Sequence, residues 1–206
     1  MPPPTIRPQT RGNAPPILTP YTERRTREHL LPDEVDALLE AAASSGRFPH
    51  RDSTLILMMY RHALRVSEVT GLRWEQVNFK EAVLHVARRK GGVAATHPLN
   101  RVQRLALQQL RKENANLRES PFVFLSSRRS ALSTSTVRKI VARAGRLAEL
   151  PLPVHPHMLR HSCGYYLAAK GVDTRAIQHY LGHANIQNTT IYTALSPERF
   201  RGFWPD

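Results

Sequence analysis

The chain has 206 residues, 41% of them hydrophobic, and its 30 Lys plus Arg against 16 Asp plus Glu give a formal net charge of +14. This length suits one domain with or without a tail, and the hydrophobic content supports a core and excludes a wholly disordered chain. A single cysteine, Cys163, excludes an internal disulfide framework and Cys-rich zinc sites. No apolar run reaches membrane-spanning length and the N-terminus MPPPTIRPQT lacks an apolar signal core, so a cytoplasmic, nucleoid-associated protein is expected. The charge suits a polyanion, most simply nucleic acid, because each basic contact releases a condensed counterion.

Seven of the 16 prolines lie in the first 20 residues. Proline fixes φ and removes a donor, so residues 1–28 are expected to form an extended, basic tail. Arg24 and Arg25 are its candidate phosphate contacts, with an inert leader as the alternative. The folded domain is expected over 29–206, with no separate N-terminal domain. Pro32 and Asp33 mark a helix start, Val35, Leu38, Leu39 and Ala42 recur at helical spacing, and Gly46 ends the run. Asp52 or Ser53 is then expected to cap a buried helix through TLILMMYRHAL. A short helix through SEVTGL stops at Gly71. Residues 82–88 and 93–98 read as two strands around Lys90-Gly91-Gly92, a hairpin signal. NRVQRLALQQLRKENANL is a long amphipathic helix, and Phe122–Leu125 is a short apolar run of open type. Helices follow at 134–149, 156–169, 173–181 and 187–195. The expected fold class is mainly α (α+β): a compact helical domain with one small antiparallel sheet.

No glycine-rich nucleotide loop is present, and no pair of carboxylates stands out as a metal site. Phosphodiester chemistry here would instead rest on Arg, His and Lys around a side-chain nucleophile. His157 and Arg160 fall three apart near the start of a helix, a position that favours anions, with His161 one turn beyond His157. A zinc pair at His157 and His161 would need a third ligand and lacks the zincin glutamate. Gly182 ends a helix, His183 sits in the following turn, and Tyr192 comes nine residues later. Arg65 lies between Leu64 and Val66 with Glu68 three on, which taken alone also fits a structural ion pair. Arg88, Arg89 and Lys90 sit at the hairpin, where a solvated turn is the bland alternative.

Taken together, ALRVSEV, RRKGG, HMLRH, LGH and a tyrosine nine residues after that histidine resemble, in order and spacing, the catalytic domain of the tyrosine recombinases (phage integrase family). The resemblance covers roughly residues 30–206. It extends to the short recombinases of fimbrial phase variation through HPHMLRHSCGYYLAAKGVDTRAIQHYLGH, ATHPL and YTALSPERFRGFW. It implies Tyr192 as the nucleophile that forms a 3′-phosphotyrosyl link, with Arg65, Arg160 and His183 on the phosphate. It further implies His157 as proton acceptor or hydrogen-bond donor, Lys90 as general acid, and Glu68 and His161 behind them as orienting groups. Arg88 and Arg89 become candidate DNA contacts. No cofactor and no metal is implied. The implied partners are double-stranded DNA, three further copies of the chain in a tetramer with a dimer on each site, and accessory DNA-bending proteins. A non-catalytic DNA-binding regulator and a type IB topoisomerase-like transesterase are the competing expectations. Whether Phe200, Phe203 and Trp204 dock on a neighbouring copy or on their own domain is left open by the sequence.

Overall fold

The protein, seen in a computed structural model, is described over residues 27–88, 92–115 and 120–193. The tail before residue 27, the hairpin tip with Arg89 and Lys90, and Phe200, Phe203 and Trp204 lie outside the described residues. Helix α1 (Pro32–Ser44) starts with proline at its first position, and the Glu34 carboxylate accepts the Leu31 N–H at 2.7 Å. It buries Val35, Leu38 and Ala42.

Helix α2 (Pro49–Arg61) begins earlier than the sequence suggests, with Phe48 as N-cap. Pro49 supplies the start, so Asp52 is not a cap. Its carboxylate is 2% exposed and is gripped by Arg51 at 2.6 Å and by Arg143 at 2.8 Å. Leu55, Ile56, Met58 and Met59 are all fully buried, so the middle of α2 is enclosed on nearly every side. Each such side chain contributes about 1.5–3 kcal/mol through burial. The short α3 (Val66–Thr70) follows and stops at Gly71.

The sheet is antiparallel in the order β1 (Val77–Asn78), β2 (Val83–Val86), β3 (Ala95–Pro98), with Leu84 opposite His97. A strand as short as β1 carries no alternation that a pattern could reveal. Both hairpin strands are shorter than expected because Arg88 leaves the ladder and turns inward. Phe122–Leu125 makes only isolated bridges, Arg73 to Phe122 and Leu125 to Ala131. Helix α4 (Arg101–Ala115) packs on α2.

The remaining four helices lie within about two residues of their expected spans. They are α5 (Thr134–Leu147), α6 (Pro156–Ala169), α7 (Thr174–Leu181) and α8 (Gln187–Thr193). Ser133 caps α5 by accepting the Thr136 N–H at 3.1 Å, and Asp173 caps α7 by accepting from Arg175 and Ala176. Helix α2 occupies the centre, against α1, α4 and α6, while α7 and α8 pack on α6. Among the described residues no helix is long and apolar enough to cross a membrane.

The interior also holds polar groups. Cys163 on α6 is buried, its thiol facing the Arg61 carbonyl at 3.9 Å, and burial pushes its pKa up to about 12. His62 and His97 are 0% and 1% exposed with their Nδ1 atoms 3.2 Å apart, so one ring donates and the other accepts. The His97 ring stacks on Tyr180 at 3.8 Å. Burial lowers His62 to about 3 and His97 to about 4 from the ordinary 6.5. Both stay neutral in the native state while the unfolded chain takes up protons near 6.5. Their stabilisation is therefore full above pH 6.5 and is lost as pH falls toward 4. The thermal midpoint is expected to drop over that window, and His97→Phe, which retains a ring against Tyr180, should make the drop shallower. Parallel melting profiles for the two proteins would contradict this.

Candidate active site

The site is assembled where four chain segments meet: the α2–α3 turn, the end of β2, the first turns of α6, and the α7–α8 connection. Pro156 opens α6, which places His157, Arg160 and His161 on successive exposed and inward positions of its first turns. Arg160 is 2% exposed. Its Nη1 donates to the Ala63 carbonyl and its Nη2 to the Leu181 carbonyl, each at 2.7 Å. It thus ties the α2–α3 turn to the end of α7. Ala63 presents that carbonyl from a left-handed conformation, φ +50°, uncommon for a residue with a Cβ. Burial lowers the Arg160 pKa to about 10, helped by the charges of Arg65 and Arg88, which leaves the group cationic.

Arg65 stands at the N-cap of α3. Glu68, one turn on, accepts the Arg65 N–H at 2.9 Å with one oxygen and Nη1 at 2.8 Å with the other. The Arg65 side chain is 34% exposed, whereas that of Glu68 is 2% exposed. Burial pushes the Glu68 carboxyl up, but the Arg65 N–H and the Arg88 charge outweigh it and hold the pKa below its usual value. The Arg88 side chain is fully buried, with Nη1 at 2.8 Å from Glu68 Oε2 and Nη2 at 2.7 Å from the Tyr180 carbonyl. Two guanidiniums therefore grip one carboxylate, with Arg160 close enough to feel its charge, and the surplus of positive charge suits an anion.

Tyr192 projects from α8 toward α6 and is 2% exposed. Its hydroxyl lies 3.0 Å from His161 Nδ1, and the His157 ring packs edge-on to His161 at 4.6 Å. Tyr165 packs edge-on to Tyr192 at 5.1 Å, and the His29 ring lies on Tyr165 at 3.9 Å. Burial raises the Tyr192 pKa to about 12, opposed by the Arg160 charge. Gly182 ends α7 in the left-handed region, φ +67°, and turns the chain so that His183 faces the Tyr192 ring at 6.3 Å. His183 Nδ1 lies 2.9 Å from the buried Thr189 hydroxyl. Burial lowers His183 to about 4, with Arg160, Arg65 and Arg88 adding to the effect, so all three charges reach this ring. Burial, with the nearby His157, lowers His161 to about 4. His157 is lowered as well, by burial and Arg160.

The structure thus brings Arg65, Glu68, His157, Arg160, His161, His183 and Tyr192 into one neighbourhood. Two placements differ from the sequence reading. His161, expected behind the other groups, is the side chain in direct contact with the Tyr192 hydroxyl. Arg88, expected as a DNA contact at the hairpin, has no exposed side-chain surface, because its donors are taken by Glu68 and by backbone carbonyls. Arg24, Arg25, Arg89 and Lys90 lie outside the described residues. Thr189 gave no signal in the sequence. Gly164 gave a weak one, a glycine one turn after Arg160 in the helix. Among the described residues no three His, Cys, Asp or Glu side chains converge as metal ligands.

Gly164 is what lets the Tyr192 ring lie against α6, since a Cβ there would stand 2.8 Å from ring carbons Cε2 and Cζ. Gly164→Ala is therefore expected to push the ring outward, at an overpacking cost of about 1–3 kcal/mol. Nitration of Tyr192 by tetranitromethane, followed by peptide mass mapping, should rise in this variant. Unchanged modification would show that the ring is not held by this contact.

Residues 28–199 match the Phage integrase family. The chain is 40% identical over 181 residues to the type 1 fimbriae regulatory protein FimE of Escherichia coli K12, covering 86% of this chain and 91% of that one. It is 39% identical to FimB of the same strain over 184 residues, or 88% and 92% of the two chains. It is 33% identical to the tyrosine recombinase XerA of Pyrococcus horikoshii, over 90% of this chain but only 63% of that protein. The crystal structure of a XerA recombinase superposes with a TM-score of 0.74 at 29% identity, covering 84% of this chain and 62% of that chain. A XerH recombinase bound to its difH substrate shares the fold at 24% identity, with a TM-score of 0.73, over 84% and 52% of the two chains. The chain belongs to the phage integrase family, that of the tyrosine recombinases.

Proposed function

We propose that the protein is a site-specific DNA recombinase that inverts a promoter-type segment, cutting and rejoining strands through a covalent ester on Tyr192. The observation that carries this reading is the phenol of Tyr192 set against neutral imidazoles beside guanidiniums in excess of carboxylates. The likeness to the fimbrial proteins along nearly their whole length favours inversion over integration or excision, which use the same chemistry.

In this mechanism the Tyr192 hydroxyl gives its proton to His161 Nδ1, which lies within hydrogen-bond reach and is unprotonated at neutral pH. The phenolate oxygen attacks the scissile phosphorus, the bond to the 5′-oxygen breaks, and that oxygen leaves as a hydroxyl with a proton from Lys90. Arg65 and Arg160 hold the non-bridging oxygens, where each donor is worth about 10²–10³ in rate. His157, on the exposed side of α6, supplies a further hydrogen bond. When the Thr189 hydroxyl donates to Nδ1 of His183, the ring proton sits on Nε2 and is free for the phosphate. A 5′-hydroxyl from another strand reverses the sequence, so the ester conserves the bond energy and no nucleotide cofactor enters. Double-stranded DNA is the substrate, bound by a tetramer with a dimer on each site, together with accessory DNA-bending proteins. Arg24, Arg25 and Arg89 are its proposed backbone contacts.

Nicked duplexes that tile the gene's flanking DNA test this directly. The parent protein is expected to be trapped as an adduct that survives detergent and is trimmed by protease, with or without EDTA. Tyr192→Phe should bind the same duplexes and form no adduct, and Arg160→Lys should form it about 10²–10³ times more slowly. An adduct with Tyr192→Phe would remove Tyr192 as the nucleophile. Salt-sensitive binding without any adduct would favour a regulator, and relaxation of plasmids that lack a site would favour a topoisomerase-like enzyme.

A further inference from the structure

We propose that Arg88 is a positioning residue for strand cleavage: a single buried guanidinium fixes both the carboxylate that aims Arg65 and the helix end that carries His183. The proposal rests on the recombinase reading above and adds a residue that contacts no substrate. Nη1 of Arg88 donates to Glu68 Oε2 at 2.8 Å and to the Ala63 carbonyl at 3.2 Å. Nη2 donates to the Tyr180 carbonyl at 2.7 Å and to the His62 carbonyl at 3.2 Å. These four acceptors belong to the end of α2 and its turn, to α3, and to the last turn of α7.

Three of the four acceptors are linked to groups of the candidate site. The other oxygen of Glu68 holds Arg65 Nη1, so a shift of the carboxylate moves that guanidinium. The Ala63 carbonyl is also the acceptor for Arg160. Tyr180 lies three residues before His183, and its ring is clamped from the other side by His97 of β3. The stem of Arg88 fills the space beside Gly182, where a Cβ would stand 2.7 Å from Cγ and Nε. The turn that presents His183 is therefore packed directly on Arg88.

The geometry requires a fork. A lysine supplies one point charge and cannot reach Glu68 and the Tyr180 carbonyl on opposite sides of a planar group. Burying a guanidinium is costly, and a purely structural plug could be apolar. The arrangement also links β2 to the rest of the site, and Lys90 follows two residues after Arg88 in the chain. The RRK run then divides its work: its first member supports the site from beneath, and its third is the proposed acid.

Arg88→Lys keeps a charge for Glu68 and loses the fork. It is expected to bind nicked duplex within a few-fold of the parent and to cleave about 10- to 100-fold more slowly in single turnover, the scale of a misplacement of about 1 Å. Without DNA, the ring signals of His183 in NMR spectra should shift, while those of the distant His50 should not. Parental cleavage with unmoved His183 signals overturns the proposal. If Arg88→Lys proves unstable, Glu68→Gln combined with Arg88→Met removes the buried charges together, and a parental rate in that variant has the same force. Should the parent itself form no adduct, the recombinase reading fails, and the His183 signals still decide whether Arg88 holds that side chain.

Discussion

One backbone carbonyl, that of Ala63, is claimed by two buried guanidiniums, and the site is organised around that meeting point. A left-handed alanine costs about 1–3 kcal/mol of backbone strain and persists only where its surroundings over-determine it. Here the surroundings are Arg160 from α6 and Arg88 from the end of β2, each with a further carbonyl acceptor at the end of α7. The helix that fills the centre of the core thus delivers the residues that follow it straight to these guanidiniums. Glu68 offsets part of the buried charge, and the remainder is available to an incoming phosphate.

That positive potential comes from arginine and not from histidine. His161 and His183 are both held near pKa 4, chiefly by burial, so both rings are neutral at physiological pH. They serve as directional hydrogen-bond donors and acceptors, while guanidiniums that stay protonated at neutral pH carry the charge. A site divided in this way keeps its charge constant over the pH range of a cell and leaves a neutral ring within hydrogen-bond reach of the phenol.

Much of this was legible in the sequence. Helical periodicity located α5 to α8, with Pro156 marking the start of α6 and Gly182 the end of α7. The three-residue spacing of His157 and Arg160 placed both on α6, and Arg65 with Glu68 read as a pair that the fold keeps. Three features were not legible, for physical reasons. Asp52 resembles a cap in one dimension, and only the approach of Arg143 across 91 residues turns it into a buried ion pair. Arg88 sits in a basic run that reads as a solvated turn, and its acceptors appear only when the end of α7 returns beneath β2. The contact between Tyr192 and His161 is likewise a product of α8 folding back over α6, which no local spacing encodes.

Cys163 lies three residues beyond Arg160 on α6, buried in the core, and its thiol stays protonated far above neutral pH. Maleimides and iodoacetamides react with the exposed thiolate, so the native sulfur is inert to them in the folded molecule. A cysteine introduced on the outer face of α4 or α5 would thus be the sole labelling point. Fluorophores can be attached there without first mutating α6, which opens the folded molecule to energy-transfer measurements on an otherwise native sequence.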